Sequence, residues 1–173
     1  IDFNQDYKLD LVVIGLKNIT FLKQTSHLKF EKTQTFNMSA PFTMCTNDID
    51  NDGNIDVYVT QIYESEFPSL GGRNGHKNQL FLNENSTMTP ISIPAIESKG
   101  MSLACSIIDI NNDDKKDIII INDFGRDELF MQSNQLQFID KAKEYEFDDA
   151  GSGMNLSIID FNQDNYWDIY ITM

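Results

Sequence analysis

Residues 48–60 read Asp48-Ile-Asp-Asn-Asp-Gly-Asn-Ile-Asp56, followed directly by Val57-Tyr-Val-Thr60. Oxygen-bearing side chains occupy alternate positions of the first nine residues, and a β-branched, apolar run follows without a break. Short runs of this composition predict strands, and their near-continuous apolarity predicts burial on both faces. The stretch therefore predicts a tight acidic turn that leads into a buried strand.

The same pattern, Asp-x-Asp/Asn-x-Asp-x-x-x-Asp, occurs four times in the 173 residues. The four copies, here called loops 1 to 4, span residues 2–10, 48–56, 109–117 and 160–168. Each is followed by an apolar run, at residues 11–14, 57–60, 118–121 and 169–172. The loops begin 46, 61 and 51 residues apart, a spacing typical of a four-stranded propeller blade and too long for a leucine-rich repeat.

One unit reads strand, acidic loop, strand, turn, strand, turn, strand, and no segment has a convincing helical period. The sequence thus predicts an all-β fold made of β-propeller blades, each a four-stranded antiparallel sheet. The units are expected at approximately residues 1–36, 37–97, 98–146 and 147–173, of which the first and last are partial. Because a ring needs about four to eight blades, we expect these blades to form part of a larger propeller.

The acidic loops have the donor set that calcium prefers, namely six to eight hard oxygen ligands. Clustered carboxylates without an ion would repel one another and raise each other's pKa. Positions 1, 3, 5 and 9 would contribute side-chain oxygens, and position 7 would contribute its backbone carbonyl. The predicted calcium ligands are Asp2, Asn4, Asp6, Lys8 and Asp10 in loop 1; Asp48, Asp50, Asp52, Asn54 and Asp56 in loop 2; Asp109, Asn111, Asp113, Lys115 and Asp117 in loop 3; and Asp160, Asn162, Asp164, Tyr166 and Asp168 in loop 4. Three to four structural Ca²⁺ ions are expected.

Other metal sites fit the sequence less well. An EF-hand closes with a bidentate Glu at position 12, where these loops have Val13, Val59, Ile120 and Ile171. Magnesium requires stricter octahedral geometry, and zinc would require a cluster of Cys and His, whereas the chain has two of each.

These repeats resemble the VCBS/FG-GAP repeat proteins, and more narrowly the subgroup of cartilage acidic protein and its bacterial relatives. The matching stretches are Asn-Gln-Leu-Phe-Leu-Asn at 78–83, Phe-Ile-Asp at 138–140, Gly-Ser-Gly-Met at 151–154 and Asp-Ile-Tyr-Ile at 168–171. The resemblance covers essentially the whole chain. It implies a propeller of about seven blades, structural calcium in the blade loops, and a secreted or cell-surface location. The family has Gly at position 6, where a left-handed backbone is expected, and Tyr7 fits that conformation poorly.

Composition excludes several classes of partner. The 27 acidic and 13 basic residues give a formal charge of −14, which disfavours nucleic acid and anionic membrane surfaces. No apolar run approaches the roughly 18 residues of a membrane span. Cys45 and Cys105 each precede an acidic loop within an apolar stretch, and we interpret both as buried strand residues rather than as a bridge or a metal site.

No catalytic motif is apparent, so the sequence predicts a non-enzymatic module for adhesion, matrix or assembly scaffolding, with protein, glycan or self-assembly partners. The alternative is the propeller of a carbohydrate-active enzyme of the polysaccharide lyase type, or a lectin-like glycan-binding module. The insert at residues 63–77, with Arg73, His76 and Lys77, is a candidate partner contact or a loop that packs on the propeller rim. Phe161 and Trp167 are expected to pack between blades rather than stack on sugars.

Overall fold

The computed structural model describes residues 1–62, 75–148 and 150–173, and all the regular structure in them is β. The strands are β1 (Leu11–Ile14), β2 (Asn18–Ser26), β3 (Lys29–Asn37), β4 (Pro41–Asn47), β5 (Asp56–Gln61), β6 (Gln79–Glu84), β7 (Thr87–Ile91), β8 (Met101–Ile108), β9 (Asp117–Asp123), β10 (Glu128–Asn134), β11 (Gln137–Asp140), β12 (Asn155–Ile159) and β13 (Asp168–Thr172). No helix in the described ranges is long and apolar enough to cross a membrane.

The strands form four antiparallel sheets in chain order. Sheet 1 contains β1-β2-β3, sheet 2 contains β4-β5-β6-β7, sheet 3 contains β8-β9-β10-β11 and sheet 4 contains β12-β13. Each strand pairs with its neighbour in the chain, as in a β-meander. The predicted all-β fold with four-stranded antiparallel blades is confirmed.

The apolar runs after loops 2 and 3 are buried because sheets pack against both of their faces, whereas those after loops 1 and 4 are only partly buried. All six residues of β5 are buried. Val57 and Val59 pack towards sheet 1 with Phe21, while Tyr58 packs towards sheet 3 with Ile118. Successive side chains of a strand point to opposite faces, so one strand contributes to two cores. This explains why the sequence shows continuous apolarity rather than alternation.

Cys45 in β4 and Cys105 in β8 form a disulfide, with their Cα atoms 5.7 Å apart. The interpretation of these residues as unbridged strand cysteines was therefore wrong, although both do lie in strands. The bond forms because β4 and β8, the first strands of sheets 2 and 3, lie next to each other. That adjacency depends on how the sheets pack, which the two isolated cysteines in the sequence do not indicate.

Gly100 and Gly153 lie just before the first strands of sheets 3 and 4, and packing requires glycine at both positions. A Cβ on Gly100 would lie 2.3 Å from Asn122 Oδ1, and one on Gly153 would lie 2.4 Å from Ile121 Cγ2. Both contacts are far closer than a real Cβ tolerates, and Asn122 and Ile121 are themselves buried. Gly100 and Gly153 thus mark points where the backbone approaches β9.

Candidate metal centre

Loops 2, 3 and 4 each connect the first and second strands of a sheet, and loop 1 leads into β1. The carboxylate at position 1 organises each turn. In loop 2, Asp48 Oδ1 accepts a hydrogen bond from the backbone N–H of Asp52 at 3.0 Å, and Asp48 Oδ2 accepts one from Gly53 at 2.8 Å. Asp2, Asp109 and Asp160 accept the equivalent pair of bonds. Position 1 is therefore a structural residue as well as a candidate ligand.

The carboxylate at position 9 links the loop to the sheet. Asp56 is 1% exposed, and its oxygens accept the backbone N–H of Ile49 at 2.9 Å and that of Asn83 in β6 at 2.8 Å. Asp10 accepts the same two hydrogen bonds, from the N–H groups of Phe3 and Gln24. Asp117 accepts them from the N–H groups of Ile110 and Gln132. In each of these loops one side chain thus connects the acidic turn to the third strand of the unit.

Asp168 is the exception among the position 9 residues. Its Oδ2 accepts the N–H of Phe161 at 2.8 Å, but within the described part of the chain its Oδ1 accepts no hydrogen bond. Sheet 4 has only two strands there, so no third strand supplies the second N–H.

Loop 2 brings its carboxylates closest together. Asp48, Asp50 and Asp56 each place a carboxylate oxygen within 4.8 Å of the others, the one group of this kind among the described residues. Burial raises the pKa of Asp56 to about 6, and repulsion from Asp50 and Asp52 adds to this effect. The hydrogen bonds from the N–H groups of Asn83 and Ile49 lower the pKa, but by less. Burial also raises the pKa of Asp50, and the neighbouring charge of Asp52 adds to that effect. A cation at this point would relieve both costs, because opposite charge favours the ionised form.

Loops 1 and 3 already contain a cationic side chain. Lys8 Nζ lies 3.0 Å from Asp6 Oδ2, and Lys115 Nζ lies 2.8 Å from Asp113 Oδ2. These hydrogen bonds lower the pKa of Asp6 and of Asp113 below the usual carboxyl value. Both pairs are solvent-exposed, so they contribute little to stability. They do place a positive charge beside a predicted calcium ligand, at the position where loop 2 has Asn54.

The remaining predicted ligands lie in their loops as the sequence implies. Asp52 accepts the backbone N–H of Asn54 at 2.7 Å, and Asn54 Nδ2 donates to the other oxygen of the same carboxylate at 2.9 Å. Loop 4 has the same turn, with Asp164 accepting the N–H of Tyr166 at 2.9 Å. Loops 1, 3 and 4 have Asn rather than Asp at position 3, and their carboxylates do not form a group like that of loop 2.

Every loop contains two residues with a left-handed backbone, at positions 4 and 6. The φ angles at position 6 are +63° for Tyr7, +88° for Gly53, +64° for Asp114 and +68° for Asn165. Tyr7 adopts this conformation despite its Cβ, because Asp2 Oδ2 accepts its N–H at 2.8 Å. Position 4, for which the sequence analysis expected nothing, is left-handed at Gln5, Asn51, Asn112 and Gln163, with φ between +57° and +63°.

The side chains at position 4 connect neighbouring loops. Asn51 Nδ2 donates to the carbonyl of Asp114 at 2.9 Å, and Asn112 Nδ2 donates to that of Asn165 at 3.2 Å. Gln5 Nε2 similarly donates to the carbonyl of Gly53 at 3.0 Å. The acceptor is always position 6 of the next loop. The only sequence signal for these hydrogen bonds between loops is the recurrence of Asn or Gln at position 4.

The predicted contact loop at residues 63–77 lies mostly outside the described residues, including Arg73. Of its basic group, Lys77 forms an ion pair with Glu97, which lowers the pKa of that carboxyl. Phe161 is 83% exposed. Trp167 is 41% exposed and lines a cleft with Leu129 of sheet 3 and Ile169 of sheet 4.

The FG-GAP-like repeat model matches residues 2–59, 48–120 and 109–171, three overlapping spans that each run from one acidic loop to the strand after the next. No curated protein matches the chain. The matched spans cover nearly the whole sequence and begin at the loops whose geometry is described above. The chain belongs to the FG-GAP-like repeat family.

Proposed function

We propose that this chain is a calcium-binding propeller segment and that loop 2 is its strongest site. The observation that supports this most is the convergence of Asp48, Asp50 and Asp56. The pKa values of two of these carboxylates, Asp50 and Asp56, are raised mainly by burial, and repulsion from neighbouring acids adds to the effect. Hard oxygen donors in a tight loop are the ligands that Ca²⁺ selects. Asp52 and the carbonyl of Asn54 would complete the set.

The ion would act as a structural clasp rather than as a sensor. Asp56 joins the loop to Ile49 and to β6 through buried hydrogen bonds, so an ion bound to it would connect three parts of one blade. The Cys45–Cys105 disulfide supports an oxidising, extracellular setting. On this basis we assign the chain to a non-enzymatic adhesion, matrix or assembly scaffold with protein or glycan partners.

The test is a thermal unfolding series in EDTA, in magnesium and in calcium. If calcium binds only the native state, a concentration one hundred times Kd stabilises it by about 2.7 kcal/mol, so Tm should rise in calcium and return to its lower value in EDTA. Calorimetric titration should assign the tightest site to loop 2, and this site should be lost in Asp50→Asn. That variant gives loop 2 the position 3 residue of loop 3.

Asn111→Asp is the matched control, because it adds the missing carboxylate to loop 3 and should strengthen binding there. Equal Tm in EDTA and calcium, together with no heat of binding, would rule out the calcium assignment. The adhesion or scaffold role has a separate test, which is calcium-dependent retention of the chain on extracellular-matrix proteins and on a glycan array. Turnover of a polysaccharide would contradict the non-enzymatic role.

A further inference from the structure

The acidic turns of neighbouring sheets are joined by hydrogen bonds that run through their candidate ion sites. Asn51 is position 4 of loop 2, between the predicted ligands at positions 3 and 5. Its Nδ2 donates to the carbonyl of Asp114 in loop 3 at 2.9 Å. The backbone N–H of Lys115, on the other side of the same peptide group, donates to Asp113 Oδ1 at 3.0 Å. One peptide group thus connects loop 2 to a predicted ligand of loop 3.

A second connection between the same two loops is buried. Gln132 in β10, which is 3% exposed, donates its backbone N–H to Asp117 Oδ1 of loop 3 at 2.8 Å. Its side-chain Nε2 donates to the carbonyl of Ile49 in loop 2 at 3.1 Å. The N–H of Ile49 in turn donates to Asp56 Oδ2 at 2.9 Å. The position 9 carboxylates of the two loops, both of them predicted ligands, are therefore joined through Gln132 and the backbone of Ile49.

The same arrangement recurs between loops 1 and 2, so it is a property of the repeat. Gln5 Nε2 donates to the carbonyl of Gly53 at 3.0 Å, and Asn83 Nδ2 donates to the carbonyl of Phe3 at 2.8 Å. In both pairs of loops, the exposed bond comes from position 4 of one loop and ends on position 6 of the next. The buried bond comes from the third strand of the following sheet and ends on the carbonyl of position 2. Each of these pairs of loops is therefore joined at two points.

These bonds act on the parts of each loop that must be ordered for an ion to bind. Ligands converge only when the turn is fixed, and fixing the turn costs conformational entropy. When loop 2 is ordered around an ion, Asn51 is held between its ligands and restrains the peptide group of Asp114 and Lys115. Loop 3 then loses less entropy on binding its own ion. Linkage requires the effect to be reciprocal, so that order in loop 3 favours binding in loop 2 by the same factor.

We propose that loops 2 and 3 bind calcium cooperatively and that Asn51 is the positioning residue that couples them. The inference rests on the calcium binding proposed above and describes how neighbouring sites influence each other. Repulsion between two bound cations opposes the coupling, but salt screens it, with a Debye length of about 3 Å at about 1 M ionic strength. Hydrogen bonds are not screened in this way, so the coupling is measured at that ionic strength.

The test follows the two sites separately by NMR, with the backbone amides of Gly53 and Asp114 as reporters of loops 2 and 3. The starting chain is Asn111→Asp, which gives loop 3 the position 3 carboxylate of loop 2. Calcium binding at loop 3 is then compared with and without Asp50→Asn, which is expected to remove the loop 2 site. Loss of that site should weaken binding at loop 3 about fivefold, at the lower end of the usual range of couplings.

Asn51→Gly isolates the exposed bond, because glycine keeps the left-handed backbone of position 4, where φ is +58°, and removes the amide. In this background the effect of Asp50→Asn on loop 3 should fall to about twofold or less, the remainder passing through Gln132. The matched control is Asn112→Gly, which makes the same change at position 4 of loop 3, leaves the Asn51 bond intact and should keep the full effect. A merely structural role of Asn51 would change both affinities but not their coupling.

Amide exchange in the natural chain reports the coupling without a second ion. At a calcium concentration that fills loop 2 alone, exchange of the Lys115 amide with solvent should slow, because that amide belongs to the peptide group on which Asn51 acts. Asn51→Gly should abolish this slowing, whereas Asn112→Gly should not.

Two results would overturn the coupling and leave the proposed function standing when both loops bind calcium. One is binding at loop 3 that does not respond to Asp50→Asn, and the other is a response that is unchanged in Asn51→Gly. Binding at loop 2 alone would also overturn the coupling, since loop 3 would then have no ion to couple. An absence of binding at either loop would overturn the proposed function as well.

Discussion

Loops 2 and 3 share one scaffold and differ in charge. In both, position 1 accepts two backbone N–H groups and position 9 connects the turn to the third strand. Loop 2 has Asp50 and Asn54 where loop 3 has Asn111 and Lys115. As a result, three carboxylates converge in loop 2, while Lys115 pairs with Asp113 in loop 3.

This comparison separates two roles that the motif combines. The acids at positions 1 and 9 hydrogen-bond to the backbone and are needed for the turn with or without an ion. Positions 3 and 7 determine how much negative charge is left for a cation. A loop can therefore retain the family's turn while losing much of its attraction for calcium.

The largest effect is expected at position 9. Asp56→Ala and Asp117→Ala should each leave two backbone N–H groups without acceptors, one of them in the buried third strand. An unsatisfied buried group costs about 1–3 kcal/mol, so each variant should lose about 3 kcal/mol of unfolding free energy in EDTA, measured by urea denaturation. Asp168→Ala, which has a single bond to lose, is the control and should cost under about 1 kcal/mol. A similar loss in all three variants would contradict the conclusion that Asp56 and Asp117 connect their loops to the third strand.

The pH dependence of stability is the next test. Burial raises the pKa of the position 9 carboxyl in loop 3, Asp117, as well as that of Asp56 in loop 2, and the effect of Asp56 can be isolated by substitution. The pKa of Asp56 is about 6 in the folded chain against 3.8 for the free side chain, so the native state holds the proton more tightly. Stability from this group is therefore present at low pH and is lost as pH rises from about 4 through 6. A difference of two pKa units corresponds to about 3 kcal/mol.

Asp56→Asn removes the titration and isolates the contribution of Asp56. The difference in unfolding free energy between the natural chain and this variant should fall across that range in EDTA. With calcium the sign should reverse, because the ion competes with the proton and binds better at higher pH. A flat difference profile in EDTA would show that Asp56 titrates normally.

The smallest effect is expected from exchanging position 7. Asn54→Lys should weaken calcium binding at loop 2, and Lys115→Asn should strengthen it at loop 3. A unit charge about 4 Å away in a water-exposed site contributes about 1 kcal/mol or somewhat more, so each change should alter Kd roughly tenfold. Calorimetric titration of both variants at low and at high salt would measure this, and a salt-independent change would indicate a packing effect instead of an electrostatic one.

Much of the fold could be predicted because the repeat carries local information. The apolar runs after the loops became β1, β5, β9 and β13, and the missing 3.6-residue period correctly indicated that the described ranges contain strands and no helix. The turn chemistry at Asp48 and Gly53 also follows from local sequence.

What could not be predicted depends on the packing of one unit against another. Cys45 and Cys105 are 60 residues apart, and only the adjacency of β4 and β8 brings them together. The bond from Asn51 to the carbonyl of Asp114 likewise joins two loops whose relative position is set by the sheets. The sequence predicted that Lys115 contributes only its backbone carbonyl to a calcium site. The ion pair between its side chain and Asp113 could not be predicted from the spacing of the motif.

The disulfide has a mechanical consequence. Because it joins β4 to β8, the segment between Cys45 and Cys105, which are 60 positions apart, cannot lengthen when the chain is pulled from its ends. Fully extended, that segment would span about 200 Å. Under tension, sheets 1 and 4 would be able to unfold and extend, whereas β5, β6 and β7 of sheet 2 lie between the two cysteines and would not lengthen the chain. Reduction of the disulfide would allow this segment to extend as well, so the redox state of one bond would set the maximum extension of this part of the molecule.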